Sequence, residues 1–117
     1  MTPSDQRLIT ETRELDLITT GRKSGTPRVV ELWYAYEKGY VYFLTSSTHW
    51  RRNLEAHPEA ALQVKGRTFL GRYKPVTDAP ASKEQVMALF RRKYGDQVVH
   101  QWYEGREHVV VRLRVAT

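Results

Sequence analysis

The sequence predicts a mainly-β fold of the α+β class, about six strands in antiparallel hairpins with a few helices at the periphery. Three observations carry this reading. Residues Arg28 to Tyr36 alternate, with Val30, Leu32, Tyr34 and Tyr36 on one face and Val29, Glu31, Trp33 and Ala35 on the other, which is the period of a strand. Both faces are partly apolar, as in a small barrel whose outer wall is also covered. Two tight turns, Glu37-Lys38-Gly39 and Lys65-Gly66, each separate runs of β-branched and aromatic residues and so mark hairpins. Finally, 117 residues at 40% hydrophobic and 27% charged suit one domain, residues 1–117, with one core.

Taken in order, Pro3 to about Arg13 is expected to be a short helix, capped by Thr2, with Pro3 at its first position and Leu8 and Ile9 as its apolar edge. Leu15 to Thr20 is the first strand, ended by Gly21 and a basic turn. Arg28 to Tyr36 and Tyr40 to Thr45 form the first hairpin. Ser47 or Thr48 then caps a helix that must stop near His57, because Pro58 follows. Trp50 and Leu54, four apart, share the face that packs on the sheet, and Arg51, Arg52 and Glu55 point elsewhere. Ala60 to Val64 and Arg67 to Val76 make the second hairpin, with Gly71 at a bend or bulge. Ser82 to Gln85 matches a capping box and opens a helix through Val86, Leu89, Phe90 and Lys93 to Gly95. Asp96 to Tyr103 reads as one more helical turn, and His108 to Val115 as the closing strand.

Composition excludes several classes of function. No apolar run approaches the ~20 residues of a membrane-spanning helix. The N-terminal residues show no export signal, and the absence of cysteine removes disulfides, thiolate metal sites and thiol catalysis, so the chain reads as cytoplasmic. The four histidines lie in separate places with no carboxylate cluster, which gives no metal motif. No Ser-His-Asp or paired-carboxylate arrangement is visible. The net charge is +6, and all of it resides between Gly21 and Pro75, where ten basic residues face four acidic ones.

The same stretch holds the candidate site. Gly21-Arg22-Lys23-Ser24-Gly25 is a basic glycine turn, and Thr45 to Leu54 is a run of hydroxyls and cations opening a helix. Turn and helix-start amides, short hydroxyls and fixed cations are what a phosphate requires. The aromatic strands between them offer a surface for a ring.

Leu17-Ile18-Thr19-Thr20-Gly21-Arg22-Lys23-Ser24-Gly25, followed by Pro27-Arg28 and by Trp50-Arg51-Arg52-Asn53-Leu54-Glu55-Ala56-His57-Pro58, resembles the deazaflavin (F420)-dependent nitroreductase and quinone-reductase family. That family lies within the FMN-binding split-barrel superfamily that includes pyridoxamine phosphate oxidase. The resemblance implies a six-stranded antiparallel split β-barrel, a homodimer, and a cofactor in the groove between barrel and partner. It implies hydride transfer from reduced F420 to a quinone, nitroaromatic or activated alkene as small-molecule acceptor. Ser46 is followed almost at once by Trp50, where F420-using members carry a longer glycine-rich loop, and this shortening is more similar to FMN-binding split barrels.

The residues expected to bind the cofactor are Arg22, Lys23, Ser24, Gly25, Arg28, Ser46, Ser47, Trp50 and Arg51, with Tyr34 as proton donor. Each has a plainer alternative. Basic residues in turns are often only solvated, the Ser46–Thr48 hydroxyls serve as caps, Arg28 pairs with Glu31, and Trp33, Tyr34, Tyr36 and Trp50 belong to core or dimer interface. Three other functions stay open: an FMN-binding or haem-handling split barrel, a scaffold without cofactor, and a nucleic-acid-binding barrel stacking bases on Tyr34, Tyr36, Tyr40 and Tyr42. The clustering of the basic residues at turns beside glycines, and not along one strand face, argues against the last.

Overall fold

A computed structural model describes residues 1–46 and 48–116. The chain runs α1 (Pro3–Glu11), β1 (Glu14–Thr20), β2 (Pro27–Trp33), β3 (Ala35–Glu37), β4 (Tyr40–Thr45), α2 (His49–Ala56), β5 (Glu59–Val64), β6 (Arg67–Tyr73), α3 (Ala79–Tyr94), α4 (Asp96–Trp102) and β7 (Val109–Val115). The strands form one antiparallel sheet in the order β2-β1-β5-β6-β7-β4-β3.

Among the described residues there are seven strands where six were expected, because the run from Arg28 to Tyr36 changes partners at Tyr34. Before it, β2 pairs with β1 from Glu14↔Trp33 to Thr20↔Pro27; after it, β3 pairs with β4 from Ala35↔Tyr42 to Glu37↔Tyr40. The two ends of the sheet are therefore one continuous piece of chain, and this is what curls the sheet into a split barrel. Helix α3 supplies the bonds that Tyr34 forgoes in the ladder. The Tyr94 hydroxyl accepts its main-chain N–H at 3.1 Å, and the Lys93 ammonium donates to its carbonyl at 2.9 Å.

Two apolar groups result. Leu15, Leu17, Val41, Phe43, Leu62, Val64, Val111 and Leu113 fill the barrel, with Ile9 of α1 and Trp50 and Leu54 of α2 packed among them. On the outer wall, Tyr42, Leu44 and Val110 meet Val86, Met87, Leu89 and Phe90 of α3 and Val99 of α4. Helices α3 and α4 thus cover the outer wall at Trp33, Ala35, β4 and β7, as the two-sided strand predicts there, and leave Val29 at its other end exposed.

Local signals explain most boundaries. Thr2 and Asp5 form a reciprocal capping box on α1. The hairpin turns at Lys38-Gly39 and Lys65-Gly66 have positive φ at both residues, the geometry of a type I′ turn. Helix α3 starts earlier than the capping box at Ser82 predicts, since Asp78 caps it by accepting the Ala81 N–H at 3.1 Å. Gly71 is no bulge: it pairs regularly with Ala60 and Val115 and lies where a Cβ would fall 2.8 Å from a methyl of Leu62. Its missing side chain makes room inside the barrel.

Candidate functional site

The turn after β1 and the start of α2 are held against each other by Asn53. This residue is 5% exposed. Its Oδ1 accepts the Arg22 main-chain N–H at 3.1 Å, and its Nδ2 donates to the Thr19 hydroxyl at 3.2 Å. The turn closes on itself through Gly21 N–H to Thr26 O at 2.8 Å and Gly25 N–H to Gly21 O at 2.9 Å. Gly25 takes a φ of +69°, and a Cβ on Gly21 would meet the Ser24 hydroxyl. The Ser24 and Thr26 hydroxyls are 2.8 Å apart.

Between turn, helix start and the first residues of β2 lies a cavity of about 620 Å³, a volume within the range of small-molecule sites. Its walls are Gly21, Arg22, Lys23, Ser24, Arg28, Val29, Val30, Thr48, His49, Trp50 and Asn53. Of the expected residues, Arg22, Lys23, Ser24, Arg28 and Trp50 are thereby brought together. Gly25 shapes the turn without lining the cavity, and Ser46 and Arg51 do not line it. Ser47 falls outside the described residues. Arg51 is turned to Glu55 one helical turn on, at 3.5 Å, so its charge is engaged on the helix surface. Arg28 makes no ion pair with Glu31; among the described residues none of Arg22, Lys23 and Arg28 has an acidic partner.

Thr48 precedes α2, yet its side chain makes no cap bond. Its hydroxyl is buried and, among the described residues, has no hydrogen-bond partner. A buried polar atom without a partner costs free energy, and this one lines the same cavity as three cations that lack acidic partners among the described residues. Thr48 belongs to the Ser46–Thr48 hydroxyl run weighed between capping and phosphate contact, whereas nothing in the sequence marks His49 as a lining residue and Asn53 is marked only by the Trp-x-x-Asn motif.

Tyr34 does not reach the cavity. It is fully buried in the barrel, and its hydroxyl donates to the Ile9 carbonyl at 2.5 Å. Burial raises its pKa above that of an ordinary tyrosine, reinforced by Tyr94 and Glu14. The proton-donor role expected for it has no geometry here; the residue joins α1 to the barrel. Trp33 stacks on Tyr94 at 5.0 Å and Tyr36 packs against the barrel core, so neither walls this cavity. Trp50 has both roles, meeting Phe43 edge-on at 5.5 Å in the core while lining the cavity. Of the four tyrosines considered for base stacking, Tyr34 and Tyr42 are buried.

Among the described residues, no group of three or more potential metal ligands gathers, and no helix is long and apolar enough to cross a membrane. The chain shares its fold with solved structures. A FAD-binding protein from Mesorhizobium loti is 23% identical, with a TM-score of 0.72 over 100% of this chain and 91% of that one. HutZ, the heme storage protein from Vibrio cholerae, is 19% identical, with a TM-score of 0.75 over 98% of this chain and 89% of that one. An F420-H2-dependent reductase, FDR-A, is 22% identical, with a TM-score of 0.66 over 86% of this chain and 93% of that one. No curated protein sequence matches the chain. The sequence profile of the pyridoxamine 5'-phosphate oxidase family matches residues 6–117, nearly the whole length, and the chain belongs to that family.

Proposed function

We propose that the protein is an oxidoreductase that holds a flavin-type cofactor in the cavity between the basic turn and α2, with reduced F420 as hydride donor to a quinone, nitroaromatic or activated alkene. The observation that carries this reading is that one cavity is lined by three cations without acidic partners and one buried hydroxyl without a hydrogen-bond partner, among the described residues. That set fits the phosphate of a flavin or deazaflavin. Arg22, Lys23 and Arg28 would neutralise it, the Thr48 hydroxyl would donate to it, and Trp50 with Val29 and Val30 would meet the apolar part. When bound, such a cofactor supplies hydride transfer, and the protein contributes binding, orientation and electrostatics. With Tyr34 engaged on Ile9, the proton for the acceptor comes from solvent, which the open cavity admits.

FMN is the second reading, favoured by the short connection from Ser46 to the start of α2 at His49. A homodimer completes the proposal. Val29, Ile18, Ala61 and Leu70 face each other across four strands on the outer wall, and the end members are 64% and 66% exposed. This apolar row starts at the cavity wall and suits a second copy.

Equilibrium titration with F420 and with FMN, following tryptophan and cofactor fluorescence, tests the assignment. The triple variant Arg22→Ala, Lys23→Ala, Arg28→Ala should lower affinity at least tenfold, and unchanged affinity would refute the site. Tight binding of FMN alone would favour the second reading.

A further inference from the structure

A second cavity, of about 300 Å³, is walled by Trp33 at the end of β2, Trp102 at the end of α4, and Tyr103. Trp33 is four residues on from Val29, so it lies about 13 Å along β2 from the first cavity. Two of its walls are fixed from behind. Trp33 stacks on Tyr94 at 5.0 Å with rings 12° apart, and Tyr103 meets Phe90 edge-on at 5.2 Å. The third is not: Trp102 is 51% exposed, and no aromatic partner faces it among the described residues. A large indole left half in water beside two fixed rings leaves apolar surface for a guest to cover.

The charges around it narrow the occupant. Arg13 lies 6.0 Å from the Trp33 ring, Glu14 is the strand partner of Trp33, and Lys93 is turned to the Tyr34 carbonyl. On α4 and beyond, the Glu104 carboxylate is taken by Arg91 at 2.7 Å and His100 at 2.9 Å. No unpaired carboxylate lines the cavity, and Arg13 already occupies the cationic position on the stack. Arg13 and Glu14, of opposite sign beside Trp33, select neither a cation nor an anion, and the indole N–H groups of Trp33 and Trp102 and the Tyr103 hydroxyl are donors suited to a ring that bears neutral acceptor groups. The geometry points to a second binding site, for an uncharged, electron-poor planar aromatic molecule of one or two rings, held against the indoles of Trp33 and Trp102. The indoles are electron-rich, which favours a ring of the opposite character. The site is independent of the cofactor assignment.

The test is calorimetric titration of the full chain with 1,3-dinitrobenzene, and with benzyltrimethylammonium as the cationic alternative. Dinitrobenzene should bind saturably, and Trp102→Ala should weaken it about tenfold with FMN and F420 titrations unchanged. The exposure of Trp102 makes this variant tolerable to the fold, and circular dichroism checks that. No saturable binding, equal affinity in the variant, tighter binding of the ammonium, or competition by the cofactor would each overturn the assignment.

Discussion

The Oδ1 of Asn53 accepts the main-chain N–H of Arg22 at 3.1 Å, across 31 residues of sequence. This bond, with the one from Nδ2 to Thr19, sets the distance between the basic turn and α2, and so the width of the cavity. Asn53→Ala leaves a part-buried N–H and the buried Thr19 hydroxyl without this partner and should cost about 1–3 kcal/mol. Urea unfolding measures this loss. Cofactor affinity should fall as well; Asn53→Asp, which keeps the acceptor, should recover part of the stability but not the affinity, because its charge opposes the phosphate.

Thr48→Val separates binding from stability. The hydroxyl has no partner to lose, so replacing it by a methyl of similar shape should leave the unliganded protein as stable as before or about 1 kcal/mol more stable. Affinity for the phosphate-bearing cofactor should nevertheless drop about tenfold, equivalent to about 1.4 kcal/mol. A variant that binds as tightly as the parent would remove Thr48 from the site.

Tyr34→Phe makes the opposite prediction. The lost bond to the Ile9 carbonyl should destabilise the fold by about 1–2 kcal/mol, visible in thermal or urea unfolding. Cofactor affinity and turnover should hardly change, because the hydroxyl faces α1 and not the cavity. A large fall in turnover at unchanged stability would reinstate it as a proton donor.

Lys93 predicts a pH dependence. Burial, and then the nearby Arg13, lower its pKa to about 8 from the ordinary 10.5. The unfolded chain therefore binds more protons than the folded one between about pH 8 and 10, and stability must rise with pH in that window. The contribution is at most about 1.4 kcal/mol per pH unit for one proton. Lys93→Met should abolish this rise. The comparison is best made below pH 10, because Tyr34 and Tyr94, raised chiefly by burial, act in the opposite sense above it. An identical pH slope in parent and variant would show that Lys93 does not titrate there.

Much of the fold is legible where the signal is local. Thr2 and Asp5 cap α1, the Lys-Gly pairs turn both hairpins, and Gly95 stops α3. Ser82 is misleading because Asp78 and Pro80 upstream form an equally good start, and packing of the longer helix on the outer wall selects it. Arg51 shows the same limit at the site. Its place in the motif suggested a phosphate contact, but a carboxylate four residues on the same helix captures it.

The amino-acid sequence by itself determined the alternation, the turns and the glycine-bounded cations, because each depends on neighbours within a few residues. It also contained the Trp-x-x-Asn motif, though not what Asn53 would bond. Only tertiary structure decided that Tyr34 ends one pairing and begins the next, since Tyr94 and Lys93 supply its missing bonds from about 60 residues away. Likewise, whether a cation or hydroxyl faces the cavity or a partner depends on distances closed by the barrel, and such distances are not written in local spacing.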